Sequence, residues 1–286
     1  MALVPALQID RADGELVLAV LDDFQPTAAE ERPGSLTVFF ASDQMRCLAR
    51  QALAATMPHA VVFDRDVDDE DWARRSQADL SPIVVGRLTI WPQTSKGEEA
   101  FPARTLATGA SSASVVIRPS MGFGTGHHAS TRLCLSALQT IDLSQSVVLD
   151  VGTGSGILAL AARRLGALAA TGIDTDADAV QSARDNASLN PDLDGVRFDV
   201  ADLNDTALPV ADLVTANLTG ALLRRSAVAL CGAVKPGGHL VLSGVLDSER
   251  DEVADAYAGL ELVSERREDE WVSLHLRKPP APVAAP

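Results

Sequence analysis

A glycine-rich segment with regular spacing is the first feature of this sequence that could bind a ligand. Gly152, Gly154 and Gly156 follow the apolar run VVLDV and precede the helix-forming run ILALAARRLGA. Glycines let the backbone turn sharply and approach a ligand, and the N–H groups at the start of a helix are free to donate. Dinucleotide-binding loops carry a third glycine, for close helix packing, where this chain has Ile157. The segment predicts a nucleoside-binding loop, with a tight turn that binds no ligand as the alternative.

An aspartate at the end of the next apolar run strengthens the prediction of a nucleoside ligand. Asp174 in ATGIDTDA lies eighteen residues after Gly156, where a carboxylate can accept hydrogen bonds from ribose hydroxyls. The alternative for such an aspartate is a turn or a helix cap, a role that we assign to Asp176. Directly before the glycines, Asp150 would favour a cationic ligand and disfavour a pyrophosphate. Together these residues predict S-adenosylmethionine rather than NAD as the cofactor, and hence a methyltransferase.

A second segment, MGFGTGHHASTRLCLSAL, could be a metal site, a Cys/His nucleophile or one wall of a cofactor pocket. The adjacent His127 and His128 project in different directions, and no Cys, Asp or Glu stands near them at ligand spacing, so we predict no metal site. Methyl transfer from a sulfonium needs no thiol, so we expect Cys134 in the core. We interpret the segment as a loop that closes over the cofactor, with Thr131 at the start of the following helix as a contact. A plain helix start is the alternative.

The elements that must position these residues form a regular series. Strands VVLDVG, ATGID, VRFDVAD, DLVTANL and HLVLSGVL alternate with helices, which predicts a parallel sheet covered on both faces. The runs LELVSERRED and EWVSLHLRK predict a hairpin that adds an antiparallel edge strand. The expected fold class is α/β, a Rossmann-like seven-stranded sheet with an antiparallel last strand.

The chain before this sheet predicts a separate small unit. We expect a small α/β substrate-recognition domain over residues 1–68, a linker helix over 69–80, the main domain over 81–278 and a disordered tail over 279–286. In the first of these, the runs LVLAVLDDF, SLTVFFAS and AVVFDRD predict strands, and Asp43 is a candidate cap for the helix QMRCLARQALAATM.

Charge and cysteine content indicate which binding partners and which cellular compartment to expect. The 286 residues are 47% hydrophobic, which indicates a folded protein. Their formal charge of −15 disfavours nucleic acid as a ligand, and it either attracts a basic partner or simply maintains solubility. Three widely spaced cysteines without a CxxC motif fit free thiols in a reducing compartment. No apolar run is long enough to span a bilayer and no signal peptide is evident. We therefore expect a cytoplasmic monomer with no membrane contact.

The order of six segments resembles the ribosomal protein L11 methyltransferase family. The segments are FGTGHHASTRLCL, VLDVGTGSGILALAA, GIDTDADAVQSARDNASLN, ANLT, KPGGHLVLSGVL and EWVSLHLRK, and the likeness runs from about Trp72 to Lys278. The resemblance implies methylation of amino groups, on lysine side chains or the N-terminus, of a large-subunit ribosomal protein. It also implies cofactor contacts at Thr131, Gly152, Asp174 and Asn217. Within the first segment, His127 and Ala129 stand where the family has Thr and Pro.

Two further residues and a charged run complete the candidates. Asn217, after the strand VTAN, could offer an amide oxygen to the cofactor or to the acceptor amine, or could simply form a turn. Asp202 in FDVADL is a candidate contact for the adenine region. The acids at 64, 66 and 68–71 could dock a lysine-rich substrate or form a solvated linker. Methylation of another protein or a small amine, an NAD-dependent oxidoreductase and a non-catalytic cofactor-binding module are the alternative functions.

Overall fold

The computed structural model describes residues 3–10, 17, 20–21, 24, 26–32, 34–40, 42–68, 81–93, 113–118, 128–203 and 207–281. The chain divides into two compact units, Met1–Asp79 and Leu80–Pro286. The predicted linker helix over 69–80 lies outside the described residues, as do the last five residues of the predicted tail. In the described part of the chain, no helix is long and apolar enough to cross a membrane.

The first unit contains an antiparallel sheet and a helix. Its strands are β1 (Leu3–Asp10), β2 (Pro26–Arg32), β3 (Ser35–Phe40) and β4 (Val61–Asp68), in the spatial order β2-β3-β1-β4. Helix α1 (Asp43–Thr56) begins after Ser42, whose side chain caps it, while Asp43 stands in the first turn. The predicted cap is thus displaced by one residue, since a serine hydroxyl satisfies the same N–H groups.

One strand prediction in this unit is wrong. Of the run at 16–24, the described residues Val17, Val20 and Leu21 are helical, and the strands that the sequence analysis missed are β1 and β2. Val17 and Leu21 are both fully buried in one cluster with Leu7 and Ile9 of β1. A spacing of four places Val17 and Leu21 on one helix face, and a short apolar run does not distinguish a helix from a strand.

The second unit is built on a large mixed sheet. Within the described residues it has seven strands, in the order β10-β9-β8-β11-β12-β14-β13. The strands are β8 (Val147–Val151), β9 (Ala169–Asp174), β10 (Val196–Val200), β11 (Ala211–Asn217), β12 (Val234–Leu246), β13 (Glu261–Glu268) and β14 (Trp271–Arg277). The first five run parallel and β14 runs antiparallel to both of its neighbours. The predicted fold class and its antiparallel last strand are confirmed.

The position of the antiparallel strand differs from the prediction. β14 lies between β12 and β13, so the edge strand is β13, which runs parallel to the first five strands. Five consecutive residues of β14, from Val272 to Leu276, are buried, whereas β13 is exposed or partly exposed throughout. The more apolar arm of the hairpin takes the inner place because it buries more surface there.

Helices cover both faces of the large sheet. Helices α2 (Ala129–Leu138), α3 (Ile157–Arg164) and α4 (Ala177–Ser188) contribute to one core cluster. Helices α5 (Gly220–Arg225), α6 (Ala227–Ala233) and α7 (Arg250–Ala256) contribute to the other. A small sheet of β5 (Ile83–Val85), β6 (Leu88–Pro92) and β7 (Ala113–Ile117) packs into the first cluster. Successive residues such as Val148 and Leu149 join opposite clusters, as alternation along a buried strand requires.

Candidate functional site

The candidate site lies where four parallel strands end. Val200 of β10 pairs with Asp174 of β9, and Ala216 of β11 pairs with Val151 of β8. The glycine loop, Asp174, the segment containing Asp202 and the end of β11 therefore share one edge of the sheet. This is the edge at which open α/β sheets bind ligands.

The glycine loop has the backbone that its sequence predicts. Gly152, Gly154 and Gly156 have φ angles of 70°, 52° and 80°, which favour glycine. Gly152 and Gly154 are partly exposed, whereas Gly156 is buried. A Cβ on Gly156 would lie 2.7 Å from the Phe198 ring. Gly152 and Gly154 thus leave part of the loop backbone accessible, although a Cβ on Gly152 would clash with the Leu218 side chain. Gly156 allows the close packing that a dinucleotide loop assigns to its third glycine.

Asp174 touches the glycine loop directly. One carboxylate oxygen accepts a hydrogen bond from the Gly154 N–H at 3.0 Å, and the other accepts one from the Asp176 N–H at 3.1 Å. Asp176 in turn caps α4 by accepting from the Asp178 N–H, as interpreted from the sequence. A carboxylate has about four acceptor positions, so Asp174 keeps capacity for ribose hydroxyls. The structure brings together the loop and the acid that the sequence paired.

Asp150, which the sequence analysis predicted to favour a cationic ligand, is buried beside the glycine loop. Its side chain is only 1% exposed, and its two oxygens accept hydrogen bonds from the hydroxyls of Thr153 at 2.7 Å and Thr215 at 2.6 Å. Burial raises the pKa of this carboxyl to about 6. Both oxygens are thus engaged, and the buried Asp150 connects the loop residue Thr153 to Thr215 of β11. Sequence reasoning missed Thr153 and Thr215, although Thr153 stands between the glycines.

Thr131 and Asn217 meet at the end of β11, which β8 separates from the end of β9 and Asp174. The Asn217 side-chain nitrogen donates to the Thr131 hydroxyl at 3.4 Å. Thr131 is 1% exposed and Asn217 is partly exposed. Beside the Asn217 amide oxygen lies Gly244, where a Cβ would approach that oxygen to 3.1 Å and the Leu218 carbonyl to 2.5 Å. The glycine, at a register shift in the pairing of β12 with β14, therefore leaves room beside the amide oxygen.

The histidine segment is described only from His128 onward. The glycines at 122, 124 and 126 and His127 lie outside the described residues, so the loop predicted to close over the cofactor stays a prediction. His128 caps α2, with its Nδ1 2.7 Å from the Ser130 hydroxyl. Its ring meets Trp271 edge-on at 4.6 Å, and burial lowers its pKa.

Cys134 lies in the core, as predicted. It is a fully buried residue of α2 in the first core cluster, and burial raises the pKa of its thiol to about 12. A thiol of this kind is neutral at physiological pH and is a poor nucleophile. Across the described segments, no group of three or more His, Cys, Asp or Glu side chains is arranged to hold a metal ion.

The donors and acceptors at this edge fit the predicted cofactor. The partly exposed Gly152 and Gly154 offer accessible backbone atoms, and α3 begins without a side-chain cap. Asp174 offers carboxylate oxygens suited to ribose hydroxyls. Asp202 is partly buried just after β10, next to Ala201, whose N–H donates to the Asp174 carbonyl at 2.9 Å. This position keeps Asp202 a candidate for the adenine region.

Comparison with known proteins gives a consistent result. The family model described as "Ribosomal protein L11 methyltransferase (PrmA)" matches residues 17–279. The ribosomal protein L11 methyltransferase of Bordetella parapertussis is 43% identical over 241 residues, which cover 82% of this chain and 76% of that protein. The corresponding protein of Vibrio cholerae is 34% identical over 262 residues, covering 89% and 85%. A crystal structure of a ribosomal protein L11 methylase from Lactobacillus delbrueckii subsp. bulgaricus matches with a TM-score of 0.60 and 25% identity, covering 70% of this chain and 98% of that one.

Proposed function

The chain belongs to the ribosomal protein L11 methyltransferase family, and from this we infer that it transfers methyl groups from S-adenosylmethionine to amino groups of a large-subunit ribosomal protein. The observation that carries the function is the contact of Asp174 with Gly154 at the carboxyl edge of the sheet. This contact joins the acceptor for a ribose to the loop that approaches the rest of a nucleoside. The substrate of the named relatives is ribosomal protein L11, and we propose the same substrate for this chain.

The residues of this edge would hold the cofactor in a defined orientation. Asp174 would accept hydrogen bonds from the ribose, and Gly152 and Gly154 would allow its close approach. Thr131 and Asn217 lie at the end of β11, which β8 separates from Asp174 at the end of β9. When bound, S-adenosylmethionine supplies a methyl group on a cationic sulfur, so the protein needs chiefly to align the acceptor with that carbon.

The acceptor amine must be presented without its proton. A lysine amine with a pKa near 10.4 loses its proton at pH 7 at a cost of roughly 4.6 kcal/mol. Burial lowers this cost, and an oxygen acceptor can orient the remaining N–H groups. We propose that the Asn217 amide oxygen, beside Gly244, is this acceptor. We assign no general base.

We propose that the first unit recognises the protein substrate. The chain carries a formal charge of −15, which favours a basic partner. Within the acidic run at 64–71, Asp64 pairs with Arg50 and Asp66 with Arg46 inside the unit, so docking would depend on the acids at 68–71. We also propose that the protein acts as a cytoplasmic monomer that does not bind nucleic acid or membranes.

The proposed function is tested with labelled cofactor. The whole chain is incubated with labelled S-adenosylmethionine and ribosomal protein L11, and in parallel with a second basic ribosomal protein of similar size. Label on L11 alone is expected. If neither protein is labelled but a small amine is, the substrate is a small molecule and the proposed protein substrate is wrong.

A fragment that begins at Leu80 tests the role of the first unit. It retains the whole seven-stranded sheet, so we expect cofactor binding close to that of the full chain. Transfer to L11 should fall steeply, because the contacts that position the amine have been removed. Equal transfer by fragment and full chain would show that the first unit does not select the substrate.

A further inference from the structure

Two buried asparagines lie four residues apart at the end of α4. Asn186 is 1% exposed and Asn190 is 2% exposed. Both side chains reach the backbone of the strand β7 and the residue that follows it. Buried amides are costly unless their donors and acceptors are satisfied, so the partners of these two side chains indicate what each residue does.

The two asparagines both bind the segment from Val116 to Arg118 and differ in their other partner. Asn190 accepts from the Val116 N–H at 2.9 Å and donates to the carbonyls of Val116 and Asn186, each at 2.8 Å. Asn186 accepts from the Arg118 N–H at 2.7 Å and donates to the carbonyl of Ser155 at 2.9 Å. Of the two asparagines, Asn186 is therefore the one that connects the end of β7 with the glycine loop.

Ser155 lies at a sensitive place in that loop. It stands between Gly154 and Gly156, whose backbones lack the restraint of a side chain and are costly to order. Ser155 is only 3% exposed. Asp150 holds Thr153, and Asp174 holds Gly154. The Asn186 amide adds a third side-chain anchor at Ser155, which of these three anchored residues lies nearest to the start of α3.

We propose that Asn186 is a positioning residue for cofactor binding, which holds the Ser155 carbonyl and thereby the loop in its binding conformation. The inference rests on the proposed role of the glycine loop as the cofactor site. It assigns Asn186 no contact with the cofactor. Asn190, with the same side chain and similar burial but no bond to the loop, is the matched comparison.

The test compares the variants Asn186→Ala and Asn190→Ala in the full chain. Calorimetry should show that Asn186→Ala weakens S-adenosylmethionine binding by about tenfold or more, and that Asn190→Ala changes it by less than about twofold. Both variants should unfold at lower urea concentration, because both lose buried hydrogen bonds. In turnover assays, Asn186→Ala should raise the KM for the cofactor and leave kcat at saturating cofactor close to that of the parent.

Hydrogen–deuterium exchange tests the loop without any cofactor. In Asn186→Ala, the peptide covering residues 152–157 should exchange faster than in the parent chain. In Asn190→Ala, faster exchange should appear in the peptide covering 113–118 and at the end of α4, and the peptide covering 152–157 should exchange as in the parent chain. This readout separates the inference from the proposed function: a parent chain that fails to bind S-adenosylmethionine refutes the function, while the exchange pattern still reports on the anchor.

A second variant covers the case in which the alanine variant does not fold. Asn186→Asp keeps an acceptor for the Arg118 N–H and offers the Ser155 carbonyl no amide donor, so it should show the same weakened binding and the same faster loop exchange. Unchanged cofactor affinity in both Asn186 variants would overturn the proposal, as would an equal loss in Asn190→Ala. If both Asn186 variants unfold while Asn190→Ala folds, the residue serves the fold as a whole and the proposal is wrong.

Discussion

The side-chain nitrogen of Asn217 lies 3.4 Å from the hydroxyl of Thr131, a residue 86 positions earlier in the chain. The contact joins the end of β11 to the first turn of α2. At 3.4 Å this hydrogen bond is long, so neither group is fully committed to the other. The amide oxygen of Asn217 faces Gly244 instead, and it is the atom that we propose for orienting the acceptor amine.

Replacing Asn217 tests that assignment. Asn217→Ala should lower kcat by about a hundredfold, since misplacing a reacting group by about 1 Å has a cost of this size. Cofactor affinity should fall much less. The control is Thr219→Ala, which removes the cap of α5 two residues later and should lower the free energy of unfolding without slowing turnover. A normal kcat with weakened cofactor binding would make Asn217 a cofactor contact only.

Replacing Asp174 tests the ribose acceptor. Asp174→Ala should weaken cofactor binding by roughly 2–4 kcal/mol, because two hydrogen bonds to a charged group are lost. The free energy of unfolding without ligand should fall by about 1 kcal/mol, because the Gly154 N–H loses its acceptor. Asp178→Ala removes the same charge from the exposed first turn of α4 and should leave the dissociation constant unchanged. An unaltered dissociation constant in Asp174→Ala would place the ribose acceptor elsewhere.

Replacing Cys134 tests whether the thiol takes part in the reaction. Cys134→Ala should keep its turnover, because the buried thiol, with its pKa raised to about 12, supplies no thiolate. The expected cost is about 1 kcal/mol of stability from the small cavity. In the parent chain, iodoacetamide should label the exposed Cys47 and spare activity. Complete loss of turnover in Cys134→Ala, with cofactor still bound, would revive the nucleophile hypothesis.

A histidine pair with one buried member, His275, should make stability depend on pH. His275 is 3% exposed, and its Nε2 lies 3.0 Å from Nδ1 of His239. Burial, then His239 and Arg266, lower the pKa of His275 to about 4. An unfolded histidine has a pKa of about 6.5, so the unfolded state binds more protons between these values. The stability is therefore complete above about pH 6.5 and is lost as the pH falls toward the folded pKa.

The variant His275→Gln isolates this contribution. On lowering the pH from about 7.5 to about 5, it should lose about 2 kcal/mol less of its unfolding free energy than the parent chain. Comparing variants is necessary because Asp150, with a raised pKa of about 6, contributes with the opposite sign. His59→Gln, at an exposed position, is the control and should follow the parent. If the unfolding free energies of His275→Gln and the parent fell equally with pH, His275 would have the same pKa in the folded and the unfolded state.

The sequence predicted the large sheet and the meeting of the glycine loop with Asp174, because these depend on local spacing. The glycines, Asp174 and the strands before them lie within about thirty residues of one another, and a βαβ unit has few ways to arrange them. The first unit was harder. The apolar run at 16–24 was predicted as a strand and is helical where it is described, since short apolar runs suit both structures.

By itself, the sequence determined the fold class, the pairing of the glycine loop with Asp174 and the buried state of Cys134. Only the tertiary structure decided that Asp150 faces inward to Thr153 and Thr215, that Thr131 reaches Asn217, and that Asn186 holds the loop. These contacts join residues up to 86 positions apart, and the packing of whole elements sets them rather than any local preference. The same reason places β14 inside the sheet, because the strand that buries more apolar surface takes the inner position and leaves β13 at the edge.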